Sequence, residues 1–269
     1  MDEQLAWHAG TGLPQVYVAA VEEIAAYFDG KPGVDALLLI ASLARGKGDL
    51  ALGSDCDLVL LHNVRFAATA ELPAYEAWFA ERNREWQLDQ YGRYSGIDLE
   101  LHNGRFAPKP RGWTSGPDDF ELEIGNTLVY SRPIRRWTDR FQRLRTQWLP
   151  YYSDKLRALR LAEALKYARN DLDHISVYAE RGLSFQCLKR LHHAVEETLQ
   201  ALFIAARVYP IAYDKWVEEQ VSEILGRPDL YATLVQVVTI PDLSAPVLTE
   251  RAAQLSAVLD GIVPAKPGT

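Results

Sequence analysis

Methionine occurs once and cysteine twice in the 269 residues of the chain. Cys56 and Cys187 lie far apart with no second pair beside them, which excludes a disulfide framework and a cysteine metal knuckle. Two free thiols in a reducing compartment are expected. No stretch approaches the roughly 20 apolar residues of a membrane span, and the opening MDEQLAWHAG lacks the basic-then-apolar order of a secretory leader. A cytoplasmic chain without a membrane partner is expected. Cations are in deficit too: 29 Lys and Arg against 36 Asp and Glu leave a formal charge of −7, a poor match for a nucleic-acid backbone. No internal repeat is present, which excludes a solenoid. What remains, 48% hydrophobic and 24% charged, is the composition of a folded protein, and the length suits two cores better than one.

The segment PQVYVAAVEEIAAYFD (14–29) sets Val16, Ala20, Ile24 and Tyr27 at helical spacing and stops before Gly30. After KPG, the apolar run VDALLLIAS predicts a strand buried on both faces. A connection rich in glycine and charge, Leu43 to Ser54, leads into a second such run, DCDLVLLH. Residues 70–88 read as a helix with Trp78, Phe79 and Trp86 on its apolar face. YSGIDLELH reads as a third strand, closed by an Asn103-Gly104 turn able to open a hairpin. FAPKPRGWTSGP is a loop, and EIGNTLVYS after it predicts a last strand. From Ile134 onward, helices are predicted over 135–149, 153–181, 184–208, 214–226, 228–239 and 246–260. The expected fold class is α+β, with a small mixed sheet in a domain of residues 1–133 and an all-α helical bundle in residues 134–269. The site is expected in the cleft between them.

The segment that carries chemistry runs from Ala41-Ser42-Leu43-Ala44-Arg45-Gly46 to Asp55-Cys56-Asp57-Leu58. Two aspartates one residue apart at a strand start project to the same side, because strand side chains alternate. Hard oxygen ligands favour magnesium or manganese, and two such ions about 4 Å apart clamp the attacking and leaving oxygens of a phosphoryl displacement. Ser42, ending the preceding strand, stands where a hydroxyl and the following amides meet phosphate oxygens. Asp98 and Glu100, again on one face, offer a third carboxylate to complete a metal shell or to take the proton of an attacking hydroxyl. An EF-hand does not fit, because its third ligand falls on Val59 and its glycine on Leu60. A P-loop fails as well, with Ala41 where glycine belongs and Gly48 at the Ser/Thr position.

These residues resemble the nucleotidyltransferases of the DNA polymerase β superfamily, especially the bacterial branch of aminoglycoside and lincosamide nucleotidyltransferases. That family carries GSxARG after one strand and SDxDL at the start of the next. ASLARG and SDCDL match in Ser42, Ala44, Arg45, Gly46, Ser54, Asp55, Asp57 and Leu58, while Ala41 departs from the usual glycine. The resemblance implies a magnesium-dependent transferase. Asp55 and Asp57 hold the metal, Asp98 or Glu100 is the third carboxylate, and Ser42, Arg45 and Ser54 hold a nucleoside triphosphate such as ATP. A looser likeness spans Ala205–Trp216, where Lys215 matches a lysine that reaches the triphosphate.

The acidic cluster Asp118, Asp119, Glu121 and Glu123 favours a cationic small-molecule acceptor over an RNA end. A protein or tRNA acceptor, as in the toxin–antitoxin branch, and a non-catalytic nucleotide- or protein-binding fold are the alternatives. Arg169, Asn170 and His174 resemble the short ribonuclease motif of HEPN domains. His192, His193, Glu196 and Glu197 read as a polar helix face rather than a metal site, since no third ligand is in evidence.

Overall fold

In the computed structural model of the chain, which describes residues 6–262, the first amphipathic segment forms helix α1 (Gln15–Phe28). Tyr17, Val21, Ile24 and Phe28, three or four residues apart, are its buried stripe. The two apolar runs become β1 (Val34–Leu39) and β2 (Cys56–His62), and a single helical turn, α2 (Ala41–Ala44), follows β1 directly. Helix α3 (Ala68–Trp86) carries the chain to β3 (Ile97–His102). Next come α4 (Phe120–Ile124), a π-helical turn (Gly125–Val129), β4 (Arg132–Arg136) and α5 (Arg140–Trp148). The remaining helices are α6 (Asp154–Glu180), α7 (Ser184–Ala206), α8 (Pro228–Val238) and α9 (Ala245–Asp260), with a π-helical segment (Glu219–Ile224) before α8.

Two compact units result, and neither is one continuous stretch of chain. The first comprises the described residues up to Phe106 together with Asn126–Trp148, and the second comprises Ala107–Gly125 together with the described residues from Leu149. The first unit holds a four-stranded mixed sheet in the order β3-β2-β1-β4. Strands β2 and β3 are parallel, as the intervening α3 allows, and β1 is antiparallel to both β2 and β4. Leu37, Leu39, Leu58 and Leu60 pack with α1 and α3, where the Tyr27 ring stacks on Trp78 at 4.6 Å. Leu38, Val59 and Leu61, which alternate with them, are buried as well, and α5 packs on β1. At the far end of β1, buried Asp35 accepts from Arg140 at 2.9 Å, Thr138 at 2.8 Å and Asn63 at 3.1 Å.

In the second unit α6 and α7 form an antiparallel pair, turned at Gly182 with a φ of +70°. Helix α9 lies against both, over a core that includes Ala164, Ala168, Leu191, Leu199, Leu248 and Leu255. The architecture is therefore α+β, a mixed sheet plus a helical region. Among the described residues no helix is long and apolar enough to cross a membrane.

Three expectations of local structure are corrected. EIGNTLVYS is not a strand: Phe120, Ile124 and Leu128 are buried at intervals of four, the mark of a helical face, and the segment is α4 followed by the π-helical turn. The fourth strand is instead Arg132–Arg136, so Pro133 sits inside a strand and the helix expected over 135–149 begins only at Arg140. An edge strand tolerates proline and charge because one side of it makes no ladder. Among the described residues β3 pairs with β2 alone and ends the sheet, so the Asn103-Gly104 turn opens no hairpin there.

Candidate active site

Three strands deliver the site within the first unit. Register pairs Leu39 of β1 with Leu58 of β2, and Leu58 with Leu99 of β3, so the next rung carries Asp57 beside Asp98. The Ile40 amide donates to the Asp57 carbonyl at 2.9 Å, which seats the Ala41–Gly46 turn at the start of β2. Asp55, Asp57 and Asp98 each offer an oxygen within 4.8 Å of the others. Asp55 and Asp57 are half-buried, and Asp98 is exposed. Glu100 shares the face of Asp98 but stands two residues further along, opposite Val59, and is outside this group.

Three carboxylates this close repel one another unless cations or protons intervene, and hard oxygen donors in such a set suit magnesium or manganese. The residues present therefore fit a divalent metal. Cys56, between two of the aspartates, points to the opposite face and is fully buried. Burial first, then the charges of Asp57, Asp55 and Asp98, push its thiol well above the ordinary range, so it is an inert core group rather than a nucleophile.

The turn is shaped by one left-handed residue. Ala41 has a φ of +58°, so the alanine adopts the backbone conformation for which glycine is normally required. Ser42 is buried directly after it, its carbonyl accepting from the Lys47 amide at 3.0 Å. Arg45 closes α2, and Gly46 follows with a φ of +72°. A left-handed alanine costs about 1–2 kcal/mol, and glycine returns part of that through its freer unfolded chain. Ala41→Gly is therefore expected to stabilise the protein by about 0.5–1 kcal/mol in urea unfolding. A destabilised variant would contradict this account of the turn.

Ser54 faces the connecting loop. Its hydroxyl accepts from the Asp49 amide at 2.9 Å, and its own amide donates to the Asp49 carbonyl at 2.9 Å, closing residues 49–54 onto the start of β2. Lys215 belongs to the second unit, on the exposed part of the loop after α7, where the Gln220 side chain donates to its carbonyl at 3.0 Å. One cation of the turn carried no signal in sequence. Arg132, the first residue of β4, donates through its guanidinium to the carbonyls of Ala44 and Ala9.

The acidic cluster of residues 118–123 is not a free acidic surface. Asp118 and Glu121 are buried in the second unit and bonded to Arg160, while Asp119 and Glu123 pair with Lys109 at 3.0 Å and 3.1 Å. The cluster itself therefore gives no electrostatic reason for preferring a cationic acceptor. The α7 residues read as a polar face divide likewise. His192 pairs with Glu196 at 3.3 Å, whereas Glu197 is buried and paired with Arg111. Of the ribonuclease-like triplet, all on α6, Arg169 pairs with Asp260 at 2.9 Å, Asn170 accepts from Arg190 at 3.2 Å, and the His174 ring contacts the Asn170 carbonyl at 2.7 Å.

The chain matches no protein-family model and no curated protein. It is similar to a crystal structure of a nucleotidyltransferase-like protein from Exiguobacterium sibiricum at a TM-score of 0.45 and 14% sequence identity, the match covering 92% of this chain and 74% of that one.

Proposed function

We propose that the protein transfers a nucleoside monophosphate, AMP from ATP, to a hydroxyl group of an acceptor. The observation that supports this most is the convergence of Asp55, Asp57 and Asp98 within 4.8 Å beside the Ser42 turn. Asp55 and Asp57 would hold magnesium, with Asp98 at the third position. Bound there, the metal would neutralise triphosphate charge and stabilise the attacking and leaving oxygens.

The chain's own groups supply position and proton transfer. Ser42 and the turn after it hold phosphate oxygens, and Arg45 adds a fixed positive charge next to them. The acceptor hydroxyl oxygen forms a bond to the α-phosphorus as the bond from that phosphorus to the bridging oxygen breaks. Pyrophosphate leaves with that oxygen, and the hydroxyl proton passes to Asp98, the exposed carboxylate of the three. The gain is one of orientation and charge stabilisation. A small molecule remains the proposed acceptor, because the chain's net charge of −7 disfavours a polyanion.

Calorimetric titration with a non-hydrolysable ATP analogue tests the reading. Binding is expected to require magnesium and to vanish in the Asp55→Asn, Asp57→Asn double variant. Metal-independent binding, or full affinity in that variant, would refute it.

A further inference from the structure

Beyond β3 the chain turns at Asn103-Gly104, away from the carboxylate group, and His102, Arg105 and Arg140 hold the atoms of this dipeptide. The Gly104 amide donates to the Nδ1 atom of His102 at 3.0 Å. That bond requires a lone pair on Nδ1, which places the proton of the neutral ring on Nε2. The Asn103 Oδ1 atom accepts from the Arg105 amide at 2.9 Å, an Asx-turn that folds the side-chain carbonyl back over the peptide between residues 103 and 104. The Asn103 main-chain carbonyl accepts from Arg140 Nη2 at 2.5 Å.

Glycine at 104 suits both the backbone and the space. Its φ is +70°, and a Cβ there would stand 2.8 Å from Arg140 Nη2 and 3.0 Å from Leu144 Cδ1. The main-chain nitrogen of residue 104 therefore has no side chain beside it to hinder attack on Asn103 Cγ. His102 is placed to take the proton from this nitrogen, and the Arg105 amide holds the oxygen on which negative charge would develop. Asn103 is exposed, so water reaches it.

We propose that Asn103 is a self-modification site, at which the folded chain promotes its own deamidation. The Gly104 nitrogen, giving its proton to His102, forms a bond to Asn103 Cγ. The bond from Cγ to the side-chain nitrogen breaks, that nitrogen leaves with the proton as ammonia, and a five-membered succinimide remains. Water then opens the ring. Arg140 polarises the main-chain carbonyl, so water adds there, the bond from that carbon to the Gly104 nitrogen breaks, and the product is isoaspartate. Its free α-carboxylate stays against Arg140, and the main chain runs on through Cβ, one methylene longer. Each modified molecule gains a negative charge, and Arg140 then serves two carboxylates, the new one and Asp35 at 2.9 Å.

Incubation at neutral pH, with the protein folded or unfolded in guanidinium chloride, tests this by mass spectrometry of the peptide that contains Asn103. Deamidation raises the mass of that peptide by about 1 Da. The folded chain is expected to convert about tenfold or more faster than the unfolded one, which holds neither the base nor the oxygen's donor in place. Its isoaspartate fraction should also be the larger. His102→Phe keeps a ring beside Phe106, whose centroid lies 4.8 Å away, and removes the proton acceptor. That variant should lose the advantage of the folded state while its unfolded rate stays the same. A folded chain that converts no faster than the unfolded one would overturn the inference, whatever the variant does. Unchanged conversion of folded His102→Phe would overturn it as well, and equal isoaspartate fractions in the two states would remove the part assigned to Arg140.

Discussion

Asp57→Asn is expected to lower nucleotidyl transfer by about a thousandfold or more, a barrier increase of about 4 kcal/mol. Asp57 is the central member of its group, beside Asp98 in register and joined through its own carbonyl to the residue that leads into the Ser42 turn. Asparagine preserves the shape and removes the charge, so the loss reports on electrostatics rather than packing. The protein itself should remain folded. The side chain is half-buried at a strand mouth, and three crowded carboxylates repel by about 1 kcal/mol per pair even in a water-like dielectric. Unfolding free energy is therefore expected within about 1 kcal/mol of the parent, an exchange typical of a site that trades stability for function. Glu100→Gln, one step outside the group, should keep turnover within about threefold under the same reasoning. Pyrophosphate release and urea unfolding, measured on the same preparations, check both halves. Equal losses in Asp57→Asn and Glu100→Gln would break the assignment.

Arg160→Leu is expected to cost about 3–5 kcal/mol, because it strands two buried carboxylates. Arg160 donates to Glu121 at 2.9 Å and 2.7 Å and to Asp118 at 3.0 Å, with Glu163 at 2.9 Å on its rim. Gln200 and Tyr152 add bonds to Glu121 at 2.8 Å each. Burial alone would pull the guanidinium down, but its bonds to Glu121 and Asp118 outweigh that and hold its pKa above the usual value. Arg160→Lys keeps one charge and loses the fork, so an intermediate cost is expected. The loss belongs to the second unit, and amide hydrogen exchange should show it in α6, α7 and residues 107–125 before the sheet is affected. A cost below about 1 kcal/mol would show that the network is solvated in solution.

That network marks where sequence reading stops. Positions 111, 118, 121, 160, 197 and 200 have no periodicity in common, and charged residues in a loop are ordinarily solvated, so Asp118 and Glu121 looked like acidic surface. Only the folded chain brings Arg160 and Gln200 to them. The helices α1, α6 and α7 and strands β1 and β2 were legible because each buries a stripe or run, while α3 and β3, buried only at Tyr75, Trp86 and Ile97, were legible from the spacing of their apolar residues. Strand β4 was not, since RPIRR has one apolar residue other than its proline and owes its place to hydrogen bonds with β1. In the candidate site, Asp55, Asp57 and Ser42 could be read from spacing. Choosing Asp98 over Glu100 needed the parallel register of β2 and β3.

The late arrival of β4 has a consequence for biosynthesis. When Phe106 has left the ribosome, β1 to β3 are available, but the outer edge of β1, with Leu37, Leu38 and Leu39, still lacks its partner. The chain must first spell out residues 107–125, which have nowhere to dock until α6 and α7 are made, before Arg132–Arg136 can cover that edge. An open apolar strand edge is a template for pairing with other chains. Translation of this stretch is therefore the interval in which a nascent-chain chaperone would matter most.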